Sequence, residues 1–392
     1  MGDFSTAAYA SCRLGKSAAD DGDPARARQN IDRGRRYLAR VNESALSAEV
    51  QCLRARSALE RLLGHTDSAL ASANRAVALG TLAGDTLSFR HLTALNELAR
   101  ALHDDDQIRR SLDLTREILA TLHRTGRSRT LTALVEQYNE GALLSRLGEP
   151  RSADSALRLA QQLASGMGTE NRHPIYMTLL QGELARELGH REQADAIFRR
   201  ALAETEQRQD IPYEERALED LGGLLIEGRR LTEAGTYLAR LERMEPGETG
   251  WSTALLEARL RFAEGHFADG LHSYLEILTQ RGFPGQGRST SYFARLVLDA
   301  SIMALQSGDV AAADSLATHA LRIARSEGQD DTKSGVIGYA MVVGARARQQ
   351  QGDRAGARDA VRRSLTPLTA AYGPDHPRTL EARTLLAQLD QD

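Results

Sequence analysis

The chain has 392 residues, 41% of them hydrophobic and 26% charged, with a formal net charge of −3. The length suits two or three ordinary domains or one long repeat array. The charge balance gives no general pull toward nucleic acid or a membrane surface. No apolar run is long enough to span a bilayer, and the first thirty residues lack the cationic start and apolar block of a secretory leader. A cytoplasmic location follows as the expectation. Lysine occurs only at Lys16 and Lys333. Arginine therefore supplies nearly all positive charge, which with the abundant alanine suggests a GC-rich bacterial genome.

The first element, near residues 5–40, opens with "ASCRLGKSAADDGD". Ala10, Gly15, Lys16 and Ser17 fit a relaxed nucleotide-binding-loop pattern. "GFPGQGRS" at Gly282–Ser289 repeats the spacing with Arg288 in place of lysine. A phosphate loop needs a strand before it and a helix after it, and only nine residues precede Ala10. The first stretch is predicted as mid-helix and the second as a turn. The two cysteines, Cys12 and Cys52, are too few for a disulfide framework. They fall on neighbouring stacked helices with axes about 8–10 Å apart. The expectation is two buried thiols in a reducing compartment.

The following elements share one phrase, a glycine followed five residues later by an alanine. It occurs as Gly22/Ala27, Gly64/Ala69, Gly148/Ala153, Gly189/Ala194, Gly308/Ala313 and Gly352/Ala357, with Gly265/Gly270 as a variant. His103/Ile108 and Arg229/Ala234 fill the two gaps more weakly. Seven residues before each first member lie Gly15, Ser57, Asn96, Gly141, Gly182, Gly222, Ala258, Ser301 and Ala345. All but Asn96 are small. Each unit therefore reads as a helix, a tight turn closed by a left-handed glycine, and a second helix. The two small sites mark a close helix crossing. The units lie near residues 5–40, 45–80, 86–122, 130–165, 173–206, 212–245, 250–281, 289–327 and 332–370, with a last helix at 377–391. The whole is read as a single array from residue 5 to 392. Asn96 and Ile108 are too large for their sites, so looser packing is expected in the third unit.

Small residues at both sites, a turn glycine between them and a large apolar residue four after the second resemble the tetratricopeptide repeat (TPR). That large residue is Leu157, Phe198, Leu238, Tyr274 or Val361 in the matching units. Pro246 falls where that family often ends a second helix. The long spacing between units, and "GPDHP" before the last helix, resemble the kinesin-light-chain type. The resemblance implies an all-α, right-handed superhelix of about nine helix pairs plus a C-terminal helix. Its function would be non-enzymatic: a protein–protein interaction scaffold or regulatory module with no cofactor or metal. It also implies, as an alternative, a peptide-sensing regulator, or the C-terminal part of a larger bacterial serine/threonine kinase or transcription regulator.

In that family the first helix of each pair lines the concave face. Counting six before, three before, one after and four after each first small site picks out Lys16, Arg54, Arg61, Arg90, Arg100, Arg186, Arg216, Arg259, Arg295 and Arg346. Only three acids share these positions: Glu97, Glu183 and Glu219. Tyr9, Tyr138, Tyr176 and Tyr339 join them, and Leu255, Phe262, Leu298, Ile302, Leu305 and Val342 make the later units apolar. Arg54, Arg61, Arg90, Arg100, Tyr138, Tyr176, Arg186, Arg216 and Arg259 are the candidate partner-binding residues. A basic groove would suit a partner with an acidic segment or a C-terminal carboxylate, and no nucleic acid or membrane. The competing reading is that arginine is simply this chain's common surface residue, paired with nearby helix acids. The scattered histidines show no metal-ligand spacing, and "HDDDQ" at 103–107 reads as a solvated turn.

Overall fold

Left-handed turn residues punctuate the chain at the expected places. In the computed structural model, which describes residues 3–41, 45–82, 86–168, 174–244, 250–283 and 293–391, seven glycines close turns inside helix pairs. They are Gly22, Gly64, Gly148, Gly189, Gly265, Gly308 and Gly352, with φ between 72° and 99°. The hydrogen bonds at the first turn show why the helix stops: the Asp23 N–H reaches back to the Ala18 carbonyl at 2.8 Å, satisfying an oxygen that the helix leaves unpaired. Asp23 then caps the next helix, its side chain accepting from the Arg26 N–H at 2.9 Å. Asp309 and Asp353 do the same for the Ala312 and Gly356 N–H groups.

Nineteen helices and no strand occur among the described residues. The chain forms two compact units, Met1–Glu140 and Gly141–Asp392. The first holds α1 (Phe4–Asp20) with α2 (Pro24–Leu38), α3 (Leu46–Leu62) with α4 (Thr66–Leu82), and α5 (Phe89–Asp104) with α6 (Ile108–Arg124). The helix α7 (Leu131–Arg146) runs across the division. The second unit continues with α8 (Pro150–Gly166), α9 (Ile175–Glu187), α10 (Arg191–Arg208), α11 (Ile211–Glu227), α12 (Leu231–Met244), α13 (Trp251–Ala263) and α14 (Phe267–Gln280). It ends with α15 (Phe293–Ser307), α16 (Val310–Ser326), α17 (Gly335–Gln350), α18 (Arg354–Tyr372) and α19 (Pro377–Gln391). Pro246 and most of "GFPGQGRS" lie outside the described residues. "ASCRLGKSAAD" lies wholly within α1, where helix hydrogen bonds occupy the N–H groups that a phosphate would need.

The small sites exist because a large neighbour sits on them. A Cβ placed on Gly182 would lie 2.6 Å from Phe198 Cδ1 and 2.9 Å from Cζ, and one on Gly141 would lie 2.8 Å from Leu157 Cγ. On Gly15 it would meet Ile31 Cγ1 at 2.8 Å. In each case the large residue is four past the second small site. Ala27, Ala69, Ala153, Ala194, Ala234, Ala313 and Ala357 are all fully buried.

The third pair corrects the sequence reading. Its left-handed turn residue is Asp106 (φ 56°), three positions after His103. Aspartate tolerates that conformation better than most residues. The small sites are therefore Ala99 and Ser111, both buried. The Ser111 hydroxyl donates to the Ala99 carbonyl at 2.8 Å, as Ser301 does to Ala313 at 2.7 Å. Asn96 and Ile108 are not at the crossing, and the expectation of looser packing there fails with the register. The second small sites at 27, 69, 111 and 153 recur every 42 residues.

The cysteines are also corrected. Cys12 on α1 and Cys52 on α3 form a disulfide with a Cα–Cα distance of 4.8 Å, inside the range that a disulfide spans. Helix axes about 8–10 Å apart do not preclude the bond, because two cysteines can project toward each other across the gap. With the thiols joined, the expectation of a reducing compartment loses its support. No described helix is long and apolar enough to cross a membrane.

Candidate partner-binding face

The first helices α1, α3 and α5 bring four cations together. Lys16 lies 2.7 Å from Asp20 and 3.5 Å from Glu97. Arg61 lies 3.4 Å from Glu97 and 2.7 Å from Asp104, and Arg100 lies 3.0 Å from Asp20. Arg54 donates to Gln51 at 2.7 Å; burial depresses its pKa, against the pull of Glu97. Glu97 is the hub, its side chain fully buried between helices. Lys16 and Arg61 both pair with it. At Asp20 burial raises the carboxyl pKa, but Arg100 and Lys16 outweigh it and hold the group below its usual value. At Asp104 burial is likewise outweighed, by His103 and Arg61.

The second unit repeats the pattern along α9, α11, α13 and α15. Arg216 pairs with Glu183 at 2.8 Å and with Asp220 at 3.1 Å. Arg259 lies 3.0 Å from Asp299 and 3.9 Å from Glu219, and Arg186 lies 3.9 Å from Glu227. Arg295 pairs with Glu187, and Arg346 with Glu381 at 3.0 Å. Burial raises the Asp220 carboxyl to about 7 despite Arg216, helped by Glu183 and Glu219 nearby.

Most of the candidate residues do lie on first helices, but two differ in character. Tyr138 is only 4% exposed and belongs to the core. Arg90, in the corrected register, falls in the first turn of α5, where it donates to the Ser47 hydroxyl at 3.0 Å. Tyr176 is exposed. The counting rule also missed most of the acids. Asp20, Asp104, Glu187 and Glu227 stand five after a first small site, and Asp220 and Asp299 stand two before one, where Glu97, already counted, also falls in the corrected register. Those positions flank the counted ones on the same helices, so a carboxylate row runs beside the arginine row. The signal was present in the sequence as this second spacing.

Within the second unit the chain closes on itself. The Gly335 N–H donates to the Gly148 carbonyl at 2.8 Å, and His376 bonds the Glu187 carbonyl at 3.0 Å through Nε2. His376 comes from the "GPDHP" loop and stacks on Tyr372 at 4.6 Å. Burial and Arg378 lower its pKa. Arg378 sits over Tyr339 at 4.5 Å and donates to the Tyr372 hydroxyl at 2.7 Å. Burial, with Glu381 alongside, raises the Tyr339 hydroxyl to about 12. Glu187, Tyr339, Tyr372, His376 and Arg378 border a pocket of about 800 Å³.

No family model matches the chain, and no curated protein does. Among solved structures it is similar to a Rap protein complexed with Competence and Sporulation Factor. The TM-score is 0.63 at 10% identity, over 98% of this chain and 99% of that one. It is similar also to the apo form of RapI, at TM-score 0.52 and 9% identity over 97% and 98%. TPR-like repeats of a kinesin light chain from Podosopora anserina match at TM-score 0.44 and 16% identity, over 52% of this chain and 97% of that one. The chain has the fold of TPR-like helical-repeat proteins.

Proposed function

We propose that the chain is an interaction module whose first helices bind a partner segment rich in carboxylates. The observation that carries this reading is the network around Glu97, where Lys16, Arg61 and Arg100 meet on three consecutive first helices. Asp20 and Asp104, which pair with Arg100 and Arg61, are about one-third exposed. A partner's carboxylates would replace these two acids while Glu97 stays in place to hold the arginines in position. Charge-assisted hydrogen bonds of this kind contribute about 1.5–3 kcal/mol each. One structure of similar fold holds Competence and Sporulation Factor, which fits a role in binding a partner. The test is fluorescence anisotropy of a labelled octaglutamate peptide. Arg100→Ala should weaken its binding at least tenfold, and affinity should fall steeply with salt. Arg158→Ala and Arg199→Ala, on second helices, should change little. Equal binding by Arg100→Ala and these controls, or indifference to salt, would overturn the reading.

A further inference from the structure

The pocket of about 800 Å³ in residues 141–392 has two chemically distinct linings. One is apolar: Ile226 from α11, Phe262 from α13, Phe267 from α14, and Leu298, Ile302 and Met303 from α15. Phe262 and Phe267 meet edge to face at 5.0 Å. The other lining is charged and unbalanced. Arg186, Arg191, Arg229, Arg259, Arg295 and Arg378 contribute six guanidinium groups, while Glu187, Glu227 and Asp299 contribute three carboxylates. Tyr339, Tyr372 and His376 complete that side, and His376 adds no standing charge near neutrality because its pKa is lowered.

We infer that this pocket binds a small organic acid with an apolar body. A ligand must satisfy both linings at once. An apolar body displaces water from the phenylalanines and α15, and each buried methylene contributes about 0.8 kcal/mol. The carboxylate meets an excess of arginine in a partly enclosed space, where charge is screened less than at an open surface. The volume lies within the roughly 300–1,000 Å³ of small-molecule sites. The "GPDHP" loop thereby gains a role. His376 ties it to α9 through the Glu187 carbonyl, and Arg378 is held between Tyr339 and Tyr372. The loop thus forms one border of the site. This inference is independent of the octaglutamate reading, which rests on residues of the first unit.

The test is isothermal titration calorimetry of the full chain with three probes of one chain length: decanoate, decanol and decyltrimethylammonium. Decanoate should bind at least tenfold more tightly than decanol, and the cation should not bind measurably. Gln306 is an exposed residue on the pocket's lining, so its substitution leaves the fold alone. Gln306→Glu should weaken decanoate at least threefold, and Gln306→Lys should tighten it. Ile302→Asp, on the apolar side, should abolish binding, with circular dichroism as the check on folding. Equal affinity for decanoate and decanol would overturn the inference by showing a merely apolar pocket. No binding of decanoate, or no response to either Gln306 substitution, would overturn it too. Each of these failures leaves the octaglutamate result as it stands.

Discussion

Gly182→Ala is the substitution whose sign tests the packing argument. On an ordinary helix the change stabilises by about 1 kcal/mol, because glycine is the poorer helix former. Here the new methyl would lie 2.6–2.9 Å from atoms of the Phe198 ring. The ring would have to retreat by about 1 Å to reach normal contact distance. Phe198 is fully buried, so no space receives it. Overpacking costs about 1–3 kcal/mol; at the upper end, less the helix gain, the net loss is about 2 kcal/mol. Repeat stability depends mainly on neighbouring units, so the loss should centre on α9 and α10. Hydrogen exchange of residues 175–202 should accelerate about 30-fold, at roughly tenfold per 1.4 kcal/mol. Adding Phe198→Leu should recover part of the loss, a coupling that a double-mutant cycle measures. A stabilised Gly182→Ala would refute the close crossing and the account of why small residues recur there.

The third pair offers a similar check of register: Ser111→Leu should destabilise by about 1–3 kcal/mol, and a denaturation midpoint unchanged from wild type would restore the Ile108 register. The disulfide joins cysteines 40 residues apart, so Cys12→Ser with Cys52→Ser should cost about 4 kcal/mol by loop-closure entropy. Unreduced protein should titrate no thiol in denaturant; two thiols would contradict the bond. Acid and base should act oppositely on the two units. The depressed carboxyl pKa values of Asp20 and Asp104 stabilise the first unit above the unfolded value, and that contribution is lost as pH falls through the folded one. Asp220, raised to about 7, stabilises the second unit at low pH and loses that effect as pH rises from about 4 through 7. Asp220→Asn should remove the latter dependence in exchange-detected stability; a wild-type profile in the variant would sink the assignment.

The helix pairs were legible because each carries several coincident signals: a turn residue, two small sites and a large residue to fill them. The third pair was misread where one signal was missing. With aspartate in place of the turn glycine, nothing marks Asp106 as the turn residue except the 42-residue recurrence leading to Ser111. The disulfide was misjudged because mean helix spacing says little about where individual side chains point. The arginines were legible, but of their partners only Glu97, Glu183 and Glu219 were, since four positions around each first small site leave out Asp20, Asp104, Glu187, Asp220, Glu227 and Asp299. The "GPDHP" loop was recognised as a connection. Its inward role was invisible, because it depends on α9 returning to it from nearly two hundred residues away.

The central claim is that Asp20 and Asp104 hold the places of a partner's carboxylates. The most direct measurement is octaglutamate binding by the double variant Asp20→Asn, Asp104→Asn, which keeps Glu97 and all four cations. With the internal competitors neutralised, the peptide should bind at least threefold more tightly than to wild type, and with a steeper salt dependence. Binding that is unchanged or weaker would mean that the arginines of the first unit serve only the helices that carry them.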